Sequence, residues 1–242
     1  MLNIATGLAY TDSTQQEYSI ELDGTGDFVT LGNVLNPGTA DFTFSFWVKC
    51  ADFTNARFIS KYEDDNNQIT IRCTGADKII VKVNDSSTNV ITKTAGSAIT
   101  SLQNTWVHIC LTCDRDDKAN LYVNGATTLG FANYTAENSS TNLTNTGEWR
   151  FGRHGSNYMT GNIDEVAFWN VALDSDAVVS LYNGGIPFNP LDSNRGDYDN
   201  EANCVGHWGF GEGSGTTTAD SRGNNAGTLS GDALFSDDTP DD

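Results

Sequence analysis

Residues 161–185 read GNIDEVAFWNVALDSDAVVSLYNGG. In that order they describe a buried strand, a short capped helix and a glycine stop. Side chains on a strand alternate with a period of two, so Asp164, Val166 and Phe168 are expected on one face and Ile163, Glu165, Ala167 and Trp169 on the other. Asp174 or Ser175 supplies the N-cap of a helix near 174–183 whose Val178, Val179, Leu181 and Tyr182 face inward. Gly184 and Gly185 then end the helix by permitting the left-handed conformation.

Working outward, the clearest alternation is FTFSFWVK at 42–49. Phe42, Phe44, Phe46 and Val48 share one face, which marks a central strand against a core. Further short strands are expected at 18–22, 28–31, 57–61, 68–73, 78–84, 90–93, 106–114, 119–123, 127–132 and 149–152, separated by turn residues such as Asn124-Gly125. Residues 133–148 are rich in Asn, Thr and Ser and have no strand pattern over most of their length. Many short strands with one helix predict an all-β, antiparallel two-sheet sandwich of jelly-roll type. The expected organisation is an N-terminal arm at 1–17, a single sandwich over 18–235 and a solvated acidic tail at 236–242, with no linker dividing the chain.

Charge narrows the partners. Of 242 residues, 32 are Asp or Glu and 13 Lys or Arg, a net charge of −19. That argues against nucleic acid and against anionic membrane, both of which need clustered cations. It is compatible with calcium, with a neutral glycan or with solubility alone. The N-terminal stretch has neither the basic start nor the apolar core of a signal peptide, so manufacture in the cytosol is expected. Five cysteines, mostly inside strand-like runs, suit reduced core packing better than a disulfide framework. Cys110 and Cys113 have half the spacing of a zinc site, but on a strand they point to opposite faces and no second pair exists.

The pieces ELDGTGDFVTLG, FTFSFWVK, WVHICLTCD with LYVNG, and GNIDEVAFWNVAL occur in an order that resembles the laminin-G-like domains of the concanavalin A-like group. The resemblance covers nearly all of residues 18–185. After it comes CVGHWGFGEGSGTTTADSRGNNAGTLSGDALFSDDTP, similar to strands that open many members of that group. Their position here implies a circularly permuted order, with 204–210 and 228–235 completing the same sandwich. The permuted order, the start at Met1 and the unpaired thiols also resemble proteins of tailed bacteriophages and related marine viruses. This implies a surface or structural component of a virion, made in the host cytoplasm and partnered by other virion proteins or by further copies of itself. The alternative is a free carbohydrate-binding, lectin-like module.

Catalysis is not expected. The carboxylate array of laminarinase-like relatives (E-x-D-x-x-E or E-x-D-x-E) does not occur, and neither do the Arg-rich, Gln-x-His and Tyr-rich strands of alginate-lyase-like relatives. His108, His154 and His207 are scattered, and His108 reads as a packed, hydrogen-bonded residue. For a metal, Asp23 and Asp27 flank a glycine turn, and the family resemblance adds Asp164 to make a calcium set; simple turn capping explains the same aspartates. Asp220, in the DSRGN turn, favours the capping role. For a glycan, the loops 61–67 and 153–158 mix aromatic, amide and charged groups, and Tyr62, Asp64, Asn66, Arg153, His154 and Tyr158 are the expected contacts. The five tryptophans all fall in strands and are expected in the core.

Overall fold

The computed structural model describes residues 18–85, 90–131, 142–193 and 195–240; the expected arm at 1–17 lies outside them. Its strands are β1 (Ser19–Asp23), β2 (Phe28–Gly32), β3 (Phe42–Lys49), β4 (Arg57–Asp64), β5 (Asn67–Cys73), β6 (Ile79–Asn84), β7 (Val90–Thr94), β8 (Val107–Cys113), β9 (Ala119–Val123), β10 (Ala126–Phe131), β11 (Glu148–Phe151), β12 (Arg153–His154), β13 (Asn157–Tyr158), β14 (Thr160–Trp169), β15 (Cys204–Trp208), β16 (Thr217–Thr218), β17 (Gly227–Ser230) and β18 (Leu234–Ser236). One helix, α1 (Ser175–Tyr182), follows β14.

Two antiparallel sheets face each other. The first runs β10-β9-β8-β3-β14-β1-β18, with β15 also on β14; the second runs β16-β17-β2-β11-β4-β5-β6-β7. Phe42, Phe44, Phe46 and Val48 face the core as their alternation requires. At its centre the rings of Phe44 and Phe168 lie 4.5 Å apart, and both lie 4.9 Å from Trp149. Edge-to-face and tilted contacts of this kind add about 0.5–1.5 kcal/mol per pair beyond the area buried.

The diagnostic strand departs from simple alternation at one residue. Glu165 has a positive φ of 48°, and the register with β3 shifts between Asp164 and Ala167. This bulge inserts one residue, so Ile163 lies on the same face as Val166 and Phe168, in the main core, while Ala167 and Trp169 turn outward. The expected grouping of Ile163 with Ala167 is thereby corrected.

Outward here does not mean exposed. α1 and the connector after it cover the far face of the first sheet, burying Cys110, Tyr122, Ala167 and Trp169 in a second cluster. Asp174 caps α1 by accepting from the Ala177 N–H at 2.8 Å, and Asn183 closes it at φ 46° with Gly184 following at 69°. Ala177, Val178 and Leu181 face in. Val179, expected inside, is 53% exposed, because it sits between the buried i and i+3 positions of a single-sided helix. The connector is anchored through Tyr198, which accepts from Trp169 Nε1 at 2.9 Å and donates to the Pro190 carbonyl at 2.7 Å.

Residues beyond 203 enter both sheets. β15 pairs with the second half of β14, β17 with β2, and β18 with β1. The tail expected to be solvated from residue 236 is tied down: Asp238 accepts from Lys49 Nζ at 2.6–2.7 Å and from Trp106 Nε1 at 2.9 Å, and Thr239 is buried. All five cysteines are buried and none is in a disulfide, with Cys110 and Cys113 on opposite faces of β8. Trp106 alone among the tryptophans is only partly buried.

Candidate functional site

The outer face of the second sheet carries the residues expected to meet a ligand. Register sets its rows: Tyr62, Gln68 and Asn84 lie side by side across β4, β5 and β6, with Ser60, Thr70 and Lys82 in the next row and Arg57, Arg72 and Ile80 in the third. Over this face folds the β12–β13 hairpin. Gly152, at φ 83°, starts it where a Cβ would collide with Leu22, and Gly155, at φ 59°, makes its tip. The hairpin is held down by Ser60 Oγ donating to the Arg153 carbonyl at 2.5 Å and by His154 Nε2 against Gln68 Oε1 at 2.9 Å.

The structure thus brings the two predicted loops together. The rings of Tyr62 and His154 meet edge to face at 4.9 Å. Arg153 places its guanidinium 4.6 Å from the Phe28 ring and 5.2 Å from the Tyr158 ring, a cation–π clamp. Asp64 plays a different part from the one expected: its Oδ1 accepts from the N–H groups of Asn66 (2.7 Å) and Asn67 (3.0 Å), which makes it the cap of the β4–β5 turn. Asn66 stands exposed at the tip of that turn. The Asp65 carbonyl, receiving Gln68, Lys82 and Asn84, fixes the turn to the sheet.

Burial and charge set the electrostatics. Burial, and after it Arg72, Arg57 and Lys82, push His154 down to about 4, with Asp65 pulling the other way, so the imidazole is neutral at physiological pH. Burial likewise pushes Lys61 down to about 8; its Nζ donates to Asn33 Oδ1 at 2.8 Å and to the Gly147 carbonyl at 2.6 Å. Phe28, Gln68, Arg72 and Lys82 belong to this face and were not expected there. Only the cross-strand register places them together, although all four sit in strands expected from the sequence, at 28–31, 68–73 and 78–84.

The acidic set differs from the expected one. Asp23 and Asp27 do meet, and the third member is Asp232: one carboxylate oxygen of each lies within 4.8 Å of the others. Asp164 is not part of it. Asp23 pairs with Thr160 on β14, so Asp164 is four residues further along, about 13 Å at the rise of a strand, and is fully buried. Three carboxylates on turns suit a hard, oxygen-seeking cation. Much of their capacity already serves the backbone: Asp27 accepts from the N–H groups of Asp23 (3.0 Å) and Asp232 (2.9 Å), and Asp23 from Thr25 (2.6 Å). Asp220 accepts from the N–H groups of His207, Arg222 and Asn225, a turn cap as favoured from its sequence. His108 is packed and hydrogen-bonded, 2.7 Å from Ser45 Oγ, and burial pushes it down to about 3.

Residues 23–179 match a family model described as the concanavalin A-like lectin/glucanases superfamily. Over 117 residues the chain is 31% identical to the botulinum-like toxin eBoNT/J of Enterococcus sp. (strain 3G1_DIV0629), a match taking in 43% of this chain and 9% of the toxin's length. Among solved structures, a candidate carbohydrate-binding protein from Bacteroides ovatus ATCC 8483 superposes with a TM-score of 0.66 at 17% identity, over 91% of this chain and 60% of that one. The CBM40 of Ruminococcus gnavus IT-sialidase gives 0.54 at 12% identity, over 68% of this chain and 96% of that one. At such identities the two superpositions speak for the fold. None of these similarities lends support to the virion role expected from the sequence.

Proposed function

Because the chain belongs to the concanavalin A-like lectin/glucanases superfamily, we propose that it is a non-catalytic, lectin-like module that binds carbohydrate on the outer face of its second sheet. The observation that carries this reading is the convergence of Tyr62, His154, Arg153, Tyr158 and Phe28 at the β12–β13 hairpin, with Asn66 at the neighbouring turn. Sugar recognition needs aromatic surface for the apolar faces of the ring and fixed polar groups for its hydroxyls. This hairpin offers both on a rigid sheet. The relatives add a direction, since one is a candidate carbohydrate-binding protein.

A calcium ion belongs to the same reading as a structural aid, held by Asp23, Asp27 and Asp232 at the edge of the sandwich rather than by Asp164. The permuted strand order is part of it too: β18 lies beside β1, which suits a chain whose last strands take the place of first ones.

The test is retention on a glycan array by the wild type and by Tyr158→Ala. The expected result is binding to a restricted set of glycans that the variant loses by roughly tenfold, as for removal of one well-packed aromatic contact. Retention on no glycan at all would overturn the proposal.

A further inference from the structure

A chain with 32 acidic and 13 basic residues has carboxylates enough to pair every cation more than twice over. Three of its cations, Arg57, Arg72 and Lys82, nonetheless gather on one face with no ion pair among the described residues. Arg57 and Arg72 are direct cross-strand partners on β4 and β5, an arrangement of like charges that costs stability. Lys82 lies one strand over on the same face, and His154 reaches down to it from the hairpin, its Nε2 2.9 Å from Gln68 Oε1. The ion pairs that do form in the described residues involve Lys49, Lys118, Arg150, Arg195 and His207. The carboxylates nearest this face are otherwise engaged: Asp64 caps its turn, Asp65 accepts from the Tyr62 hydroxyl and Glu148 pairs with Arg150.

Resting on the binding role proposed above, the geometry points to an anionic ligand: this face selects glycans that carry a carboxylate or sulfate group, which Arg72 and Lys82 receive beside the Arg153–His154 hairpin. Further facts fit. Uncompensated, like-charged side chains are retained where an anion repays their repulsion. Burial first, and then the charges of Arg72, Arg57 and Lys82, keep His154 neutral; those same charges attract an anion, and the neutral imidazole keeps an acceptor for a sugar hydroxyl. Arg72 also presents a planar fork suited to bidentate capture of carboxylate or sulfate.

The experiment uses the full chain on matched oligosaccharides: each neutral glucose- or galactose-based compound, the same compound with a uronic or nonulosonic acid, and the same compound sulfated. The wild type should hold at least one acidic form roughly tenfold more tightly than its neutral parent, the value of one charge-assisted hydrogen bond. That margin should shrink as salt is raised from 50 to about 500 mM, as screening requires. Arg72→Gln and Lys82→Gln should each erase most of it, while Arg72→Lys should retain part. Equal binding of neutral and acidic partners, indifferent to salt, would overturn the inference and leave the carbohydrate-binding role standing. Acidic binding that both glutamine variants preserve would overturn the assignment of these residues. Binding to none of the compounds would overturn the role and the inference together. The salt titration needs only the wild type, so it decides the matter even if a variant fails to fold.

Discussion

The carboxylate of Glu165 lies 2.6 Å from Nε2 of His207, and neither side chain is more than 11% exposed. Glu165 is the bulge residue of β14, and His207 sits on β15 opposite Ala167 of β14. The pair therefore ties the irregular point of the diagnostic strand to the C-terminal part of the chain. Two opposing terms act at Glu165, a buried polar contact that stabilises and a left-handed backbone that costs about 1 kcal/mol for a side chain there.

Those terms separate by substitution. Glu165→Ala loses the contact and keeps the unfavourable φ, so it should destabilise by about 2–3 kcal/mol. Glu165→Gly loses the contact and gains the conformational freedom of glycine, so it should be about 1 kcal/mol less damaging. Urea unfolding of both variants checks the order; the reverse order would show that the bulge is unstrained.

The acidic turn predicts a response to calcium. Added calcium should raise the melting temperature of the wild type, and a chelator should reverse it, because an ion that binds only the native state stabilises by mass action. Asp232→Asn should abolish the shift. A melting curve unmoved by millimolar calcium removes the ion from the account. Independently of any ion, Gly231→Ala should lower stability by roughly 1–3 kcal/mol, since φ is 74° there and a Cβ would collide with Asp27 Oδ1.

Acid should weaken the fold before carboxylates begin to titrate. His108, pushed down to about 3, and His154, pushed down to about 4, both stay neutral in the native protein where an unfolded chain takes up protons near pH 6.5. The unfolded state then binds more protons than the native one. Stability is full above about pH 6.5 and falls as the pH drops below it, by at most about 1.4 kcal/mol per unit for each histidine, and less for the partly exposed His154. Unfolding measured at pH 7, 6 and 5 should show this slope, and His108→Gln should make it shallower.

Removal of residues 204–242 should abolish cooperative folding. It takes away β15, β17 and β18, each paired with an earlier strand, and the fully buried Trp208, whose ring stands 5.6 Å from Phe168. Loss of one such ring alone costs about 3–5 kcal/mol. A truncated chain that stays soluble and melts in a single sharp transition would show that residues 18–203 fold as a complete unit.

Much of the fold is legible along the chain because it depends on local pattern. FTFSFWVK announces its own core face, and Asp174 with Asn183 and Gly184 bounds the helix through hydrogen bonds and dihedral preferences that span three or four residues. Locality also makes each of the loops that carry Tyr62 and His154 a short hairpin, whereas their meeting is a contact across about 90 residues that only the fold supplies. Where the reading missed, the deciding term was distant in sequence. The bulge at Glu165 looks like any strand residue until β3 and β15 impose their registers on it. Asp232 joins Asp23 and Asp27 across more than 200 residues, while Asp164, far nearer to the eye in a family pattern, is carried about 13 Å away by four residues of extended chain. Arg57, Arg72 and Lys82 lie apart along three strands and become one charged face only through pairing. Alternation and capping are properties of neighbouring residues, so the sequence alone determined most of the strands, the helix and the sandwich class. The split of 228–235 into β17 and β18, in different sheets, came from pairing with β2 and β1. Charge clusters and ligand sets are properties of positions in space, and only the tertiary structure decided them.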